Sequence, residues 1–271
     1  MPYFNIVAET SENTVVTEYE PVKKRSDSYQ SEAALEQEFI RMLCEQGYEY
    51  LPIHTESDLV SNLRRQLEEL NHYTFSDTEW EDFFHNAIAN PNEHIVEKTR
   101  KIQEDHIQNL RRDDGSTKNI TLIDKKNIHN NHLQVINQYV VSTKDGAKHD
   151  NRYDVTVLVN GFPLVHIELK RRGVAIREAF NQIERYQRES FWSGSGLYEY
   201  IQIFVISNGA NTKYYSNSTR WNAEREHKKK GASKTKSSNS FEFTCFWADA
   251  NNRVISDLID FTKTFSQSTR F

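Results

Sequence analysis

Asp154, Glu168 and Lys170 have the residue types and the spacing to do chemistry together. A hard divalent cation such as Mg²⁺ takes carboxylate oxygens, few of them, and completes its shell with water and substrate. Such a cation polarises a phosphoryl oxygen and generates hydroxide near neutral pH. A neighbouring ammonium can orient or deprotonate the attacking water, or stabilise the charge that develops at phosphorus. One Asp followed fourteen positions later by Glu-x-Lys supplies this set, so the chemistry on offer is phosphodiester hydrolysis. In that reading Asp154 and Glu168 hold the cation, the carbonyl of Leu169 completes its shell, and Lys170 assists the water. The same spacing also arises by chance, and exposed strand faces carry charges. The elements that carry the three residues must therefore decide.

The segment DVTVLVNGFPLVHIELK, residues 154–170, has two alternating runs flanking Asn160-Gly161, a strong hairpin signal. The strand period of two puts Glu168 and Lys170 on one face. The position of Asp154 depends on register. A two-residue turn pairs Val159 with Phe162, sets Asp154 opposite Ile167 and turns it away from Glu168. A three-residue loop, with Gly161 in the left-handed position of a bulge, pairs Leu158 with Phe162 instead. Asp154, Thr156 and Leu158 then share a face with Leu164, His166, Glu168 and Lys170. Val155, Val157 and Val159 join Val165, Ile167 and Leu169 as one apolar face. This pattern predicts a bulged or odd-length turn. His166, on the polar face, is expected to pack or hydrogen-bond rather than bind metal.

A helix is predicted over 174–190, with Ile176, Phe180 and Ile183 on one face. Gln182 and Tyr186, four apart, share a face beside Arg185 and near Arg188. They either touch a phosphate or a metal-bound water, or belong to an ordinary amphipathic helix. An earlier helix starts at the N-cap Ser31, carries Leu35, Phe39, Met42 and Leu43, and closes at Gly47. Glu32 falls within its apolar stripe, whereas Glu38 lies near the rim. Either the helix N-terminus satisfies Glu32, or Glu32 supports the metal, with Glu36 next in line.

Further helices are predicted over 57–71, over 76–89 opened by Ser76 or Asp77, and over 253–265. Strands are predicted at 120–123, 133–141, 200–207, 213–216 and 241–247. Residues 1–30 read as an extended arm and the Lys- and Ser-rich 222–240 as a loop. This is a mixed α/β order around one sheet. Of the 271 residues 37% are hydrophobic and 27% charged, with 13 Tyr, 15 Phe and 4 Trp, a polar and aromatic-rich composition. No apolar run approaches the ~20 residues that cross a bilayer. Glu9, Glu12, Glu18 and Glu20 break the basic-then-apolar order of a signal peptide. Cys44 and Cys245 are too few for a disulfide framework, and the cytoplasm is the expected compartment. A net charge of −5 argues against a small, wholly basic nucleic-acid binder. It leaves room for a local grip on phosphates. Lys144, Lys148, Arg152, Lys170, Arg171, Arg172, Arg177, Arg185 and Arg188 gather around the hairpin.

The block NRYDVTVLVNGFPLVHIELKRRGVAIREAFNQIERY, 151–186, closely resembles the nuclease segment of the type I restriction enzyme R subunit, HsdR. SEAALEQEFIRMLCEQGYEYL at 31–51, LIDKKN at 122–127 and FVISNG at 204–209 resemble it too. The resemblance implies a PD-(D/E)xK endonuclease fold over 31–265, with a mixed sheet of about five or six strands and helices on both sides. It implies catalytic roles for Asp154, Glu168 and Lys170, and Mg²⁺ as the metal. Gln182 and Tyr186 match a supporting motif shared with RecB-type nucleases, and Arg185 is expected to join them at DNA. The implied partners are double-stranded DNA and the methylation (HsdM) and specificity (HsdS) subunits. R subunits also carry ATP-hydrolysing motor lobes. No G-x-x-x-x-G-K-[ST] occurs here, and GASKTKS around Gly231 lacks the Gly-Lys pair. Residues 266–271 are accordingly expected to open a linker to a motor that this chain lacks, ATP serving only the full-length subunit. The rival expectation is a non-catalytic DNA-binding or assembly domain that kept the fold. An intact Asp…Glu-x-Lys set disfavours it.

Overall fold

The computed structural model describes residues 3–9, 15–20, 30–217 and 240–265. The chain is mixed α/β. Its central sheet has six strands: β3 (Glu49–Tyr50), β6 (Leu133–Val141), β7 (Asn151–Val159), β8 (Phe162–Leu169), β9 (Ile203–Ser207) and β10 (Thr212–Ser216). They lie in the order β10-β9-β8-β7-β6-β3, with β3 parallel to β6 and β6 antiparallel to β7. Internal contacts gather the chain into two compact units, one of residues 1–47, 167–181 and 204–271, the other of 48–166 and 182–203. Among the described residues no helix is long and apolar enough to cross a membrane.

In the second unit, helix α2 (Glu56–Asn71) is capped by Thr55, whose side chain accepts the Asp58 N–H. Its stripe of Leu59, Leu63 and Leu67 is fully buried, as the sequence period requires. Helix α3 (Asp77–Phe83) opens with a capping box between Ser76 and Glu79, and a π turn, Phe84–Ile88, continues it. A helix and most of a small strand pair here lie outside the sequence expectations. Helix α4 (Ile95–Gln103) buries Lys98 and Lys101, so the inward face reads as polar. The Lys98 ammonium donates to the Gly196 carbonyl at 2.8 Å and lies 3.4 Å from Glu199. Strands β4 (Ile107–Arg111) and β5 (Thr117–Thr121) form a small antiparallel sheet, of which only the last residues were expected.

The hairpin turn differs from expectation. Strand β7 runs to Val159 and β8 starts at Phe162, leaving two residues, Asn160 at φ +50° and Gly161 at φ +82°. Both lie in the left-handed region, the signature of a type I′ turn rather than a bulged loop. Its neighbours impose this form. Asn160 Oδ1 accepts the His132 N–H at 2.7 Å, and Nδ2 donates to the Leu122 carbonyl at 3.0 Å. A Cβ on Gly161 would lie 2.6 Å from the Leu63 Cα. In a regular strand this turn faces Asp154 away from Glu168, against the shared face expected for them. The strand is not regular, however. Tyr153 and Thr156, three apart, belong to opposite faces of a regular strand. Yet the Tyr153 ring lies 4.6 Å from the Tyr198 ring and 5.6 Å from His166, while Thr156 Oγ1 is 3.3 Å from the Tyr198 hydroxyl and 3.5 Å from His166 Nδ1. On the neighbouring strand Asn137 pairs with Val155 and Tyr139 with Tyr153. Gln138, between them at the level of Asp154, has φ +53°.

In the first unit, β1 (Tyr3–Glu9) and β2 (Val15–Glu20) pair antiparallel with an irregularity between Ile6 and Ala8, so the described part of the expected arm is a strand pair. Residues 1–2, 10–14 and 21–29 of that arm, residues 222–239 of the expected loop and the expected linker at 266–271 lie outside the described residues. Helix α1 (Glu32–Glu45) starts where Ser31 caps it, the Ser31 hydroxyl accepting the Ala34 N–H, and it packs along α6 (Leu258–Phe265). The strand expected at 241–247 is a 3₁₀ turn, Ser240–Phe243, followed by a bridge from Cys245 to Tyr214 and by β11 (Trp247–Ala248), which pairs with β12 (Val254–Ile255). The final helix starts five residues later than expected, because Asp257 accepts the Ile259 N–H and caps it there.

Candidate active site

Glu168 and Lys170 leave the end of β8 in the first unit. The Lys170 N–H donates to the Ser207 carbonyl at 2.8 Å, extending the pairing to β9 one residue past the strand. Beyond Ser207 the chain turns back. The Ser207 hydroxyl accepts the Gly209 N–H at 3.0 Å, and Asn208 Nδ2 donates to the Val174 carbonyl at 2.7 Å. Ser207 and Asn208 thereby hold both ends of the segment after Lys170. Their positioning role was missed at the sequence level.

Glu168 is fully buried. Burying a carboxylate is costly unless a charge and hydrogen bonds compensate. Lys170 compensates it here. The Lys170 ammonium, 13% exposed, donates to Glu168 Oε1 at 2.9 Å and to the Leu169 carbonyl at 3.1 Å. The Glu168 carboxylate and the Leu169 carbonyl, two members of the expected metal set, thus both accept from one ammonium; both are hard oxygen donors. Among the described residues no three or more His, Cys, Asp or Glu gather to hold a metal. An ion here would need main-chain and solvent oxygens, the kind of shell Mg²⁺ prefers.

The acids of α1 are placed differently from expectation. Glu32 is exposed, and its Oε1 accepts the Arg171 N–H at 3.3 Å, next to Lys170. Glu36 is the acid that turns into the buried face with Leu35, Phe39, Met42 and Leu43. Glu32 continues the stripe geometrically, but in the first turn of the helix the stripe has run past its packed neighbours.

In the second unit, Asp154 is half-buried on β7. Helix α5 (Ile176–Glu189) brings Gln182 and Tyr186 to bear on that strand. Tyr186 is 1% exposed, and its hydroxyl donates to the Arg152 carbonyl at 2.8 Å. Gln182 Nε2 donates to the same hydroxyl. The pair braces the strand two residues before Asp154, so this hydroxyl is committed inside the protein. Arg185 is exposed, with its guanidinium 5.4 Å from the Tyr186 ring. His166 is fully buried beside Tyr153, Tyr186 and Phe191, packing as expected. Burial raises the Tyr153 hydroxyl well above its ordinary pKa, so that ring stays neutral in the cluster.

Residues 29–223 match the family described as type I restriction enzyme R protein N terminus. The chain is 46% identical over 262 residues to the type I restriction enzyme EcoprrI endonuclease subunit of Escherichia coli, covering 96% of this chain and 78% of that protein. It is 38% identical over 242 residues to the SsaAORF53P endonuclease subunit of Staphylococcus saprophyticus. That match covers 88% of this chain and 23% of the relative. A more distant likeness, 33% over 107 residues, links it to the putative MjaIXP endonuclease subunit of Methanocaldococcus jannaschii, covering 39% of this chain and 10% of that one. The chain thus spans about a quarter of the staphylococcal relative it matches. On the family match and the similarity to the Escherichia coli subunit, the chain belongs to the type I restriction enzyme R protein N-terminal family.

Proposed function

We propose that this domain hydrolyses DNA phosphodiester bonds as the cutting part of a type I restriction R subunit. The observation that carries the reading is the buried Glu168 carboxylate, held with the Leu169 carbonyl on the Lys170 ammonium. Asp154 and Glu168 would hold Mg²⁺ with the Leu169 carbonyl. When bound, the ion supplies Lewis-acid polarisation of a phosphoryl oxygen and acidification of water. The protein's own groups do the rest. Lys170 moves its ammonium from Glu168 toward the attacking water and the scissile phosphate, orienting the one and offsetting charge on the other. Gln182 and Tyr186 keep β7 in place under Asp154. The exposed Lys144, Lys148, Arg152, Arg177, Arg185 and Arg188 attract the polyanion. In the assembled enzyme the substrate is double-stranded DNA delivered by ATP-driven motor lobes. The methylation and specificity subunits choose the site.

The test is plasmid nicking by the domain and by the R subunit that contains it, with and without Mg²⁺. Lys170→Ala, Glu168→Gln and Asp154→Asn should each abolish Mg²⁺-dependent cleavage while DNA binding persists. Undiminished cleavage by Lys170→Ala would overturn the assignment.

A further inference from the structure

The segment 241–246 carries two exposed phenylalanines, Phe243 at 46% and Phe246 at 38%, in the unit that holds Glu168 and Lys170. The proposed chemistry uses neither. The segment is firmly held. Tyr214 and Cys245 exchange backbone hydrogen bonds at 2.9 Å in both directions, fixing it to the edge strand β10. The Thr244 hydroxyl accepts from the Lys213 ammonium at 3.1 Å and donates to the Phe241 carbonyl at 2.8 Å. Phe241 itself lies edge-on to Phe180, with ring centres 5.5 Å apart.

Two cations converge on this segment. The Arg177 guanidinium is 4.8 Å and the Lys213 ammonium 4.9 Å from the Phe241 ring, and Lys213 is also 4.7 Å from the Phe246 ring. They therefore sit within about one Debye length of each other, where like charges gain from a shared anion. Two acids of this unit are engaged elsewhere, Glu168 with Lys170 and Asp257 with Arg172. Among the described residues no carboxylate pairs with Arg177 or Lys213. Glu242, exposed on the same turn, weakens the local positive field. Charge alone is therefore a poor account of the patch, and the aromatic faces must contribute. A single DNA strand presents phosphates and π-faces in alternation, and it fits cations interleaved with rings. A duplex keeps its bases stacked on each other and gives the rings nothing.

We propose that Phe243 and Phe246, with Arg177 and Lys213, form a stacking platform for unpaired DNA. This rests on the nuclease reading only for the identity of the polymer. The test is fluorescence anisotropy in EDTA with three probes: a labelled mixed-sequence single strand of roughly 16 nucleotides, the same strand made abasic, and a blunt duplex. Phe243→Ala and Phe246→Ala should each weaken single-strand binding roughly 5- to 150-fold and leave the abasic and duplex probes unchanged, whereas Phe243→Trp keeps the wild-type affinity. Arg177→Ala or Lys213→Ala should weaken all three and flatten the salt dependence for the single strand by about 0.7 per charge. Both phenylalanines are exposed, so an unchanged thermal midpoint checks the fold. Wild-type affinity in the double Phe→Ala variant, or an equal loss on the abasic and duplex probes, would overturn the platform. So would the absence of single-strand binding by the wild type. A surface made for a protein partner would give the first of these results. If Lys170→Ala still cleaves, the nuclease reading fails whatever the anisotropy shows.

Discussion

The Tyr186 hydroxyl donates to the Arg152 carbonyl at 2.8 Å, two residues before Asp154 on the same strand. Tyr186→Phe removes this bond and the acceptor for Gln182 while the ring stays packed. Stability should fall by about 1–3 kcal/mol, the cost of a lost buried hydrogen bond. Metal affinity or cleavage should fall roughly 10- to 100-fold, as when a group supporting a metal ligand is removed. Urea unfolding and a Mn²⁺ titration read the two effects separately. An unchanged Mn²⁺ affinity and cleavage rate would reduce the motif to packing.

Glu168 and Lys170 form a buried pair. Lys170→Met should destabilise the domain by up to about 3–5 kcal/mol near neutral pH, because the buried carboxylate then loses its ammonium partner. Adding Glu168→Gln should recover most of that stability without recovering cleavage. Chemical denaturation of the single and double variants checks this.

Glu79 ties three segments together. The Tyr73 hydroxyl donates to it at 2.7 Å, and the N–H groups of Ser76 and Asp113 both donate at 3.1 Å. The Tyr73 bond, then these N–H groups and Arg112, hold the carboxyl below its ordinary value against the opposing effect of burial. A depressed folded pKa contributes stability that is present above the unfolded value of about 4.3 and is lost as pH falls through the folded value. Glu79→Gln should therefore lower stability at neutral pH and flatten the decline below about pH 4.3. Thermal midpoints from pH 3 to 7 (roughly the span of carboxylate titration) measure it.

Gly161 and Gly115 share nearly the same φ, +82° and +81°, but only Gly161 would meet another segment. Gly115→Ala should cost about 1–2 kcal/mol, the left-handed penalty alone. Gly161→Ala must add displacement of the α2 backbone and should cost at least twice as much, on the order of 4 kcal/mol. Differential scanning calorimetry of the two variants gives the comparison.

Where side-chain pattern and burial coincide, the sequence was legible. The Leu59, Leu63 and Leu67 stripe, the Ser31 and Ser76 caps, β6 and the Asn160-Gly161 hairpin stand where the pattern put them. Helix α4 was hidden because lysines occupy its inward face, and a hydrophobic period cannot reveal a core made of buried ammonium groups. The odd-length turn expected from the alternation is overturned: the turn has two residues, Asn160 and Gly161. The side chains of Tyr153 and Thr156 converge inside the strand instead, level with the left-handed Gln138. Nothing in the residue type of Gln138 announces a positive φ. The Glu168-x-Lys170 pair was readable from spacing alone. The destination of the Tyr186 hydroxyl was not, since it ends on a main-chain oxygen that every residue possesses.

The approach of Gly161 to Leu63 has a genetic consequence. The atoms in the way are the Cα and backbone nitrogen of residue 63, which every amino acid carries. No substitution at 63 can therefore act as a suppressor of a side chain at 161. Compensation would have to shift a whole helix turn, so revertants of a Gly161 mutant should be dominated by true restoration of glycine.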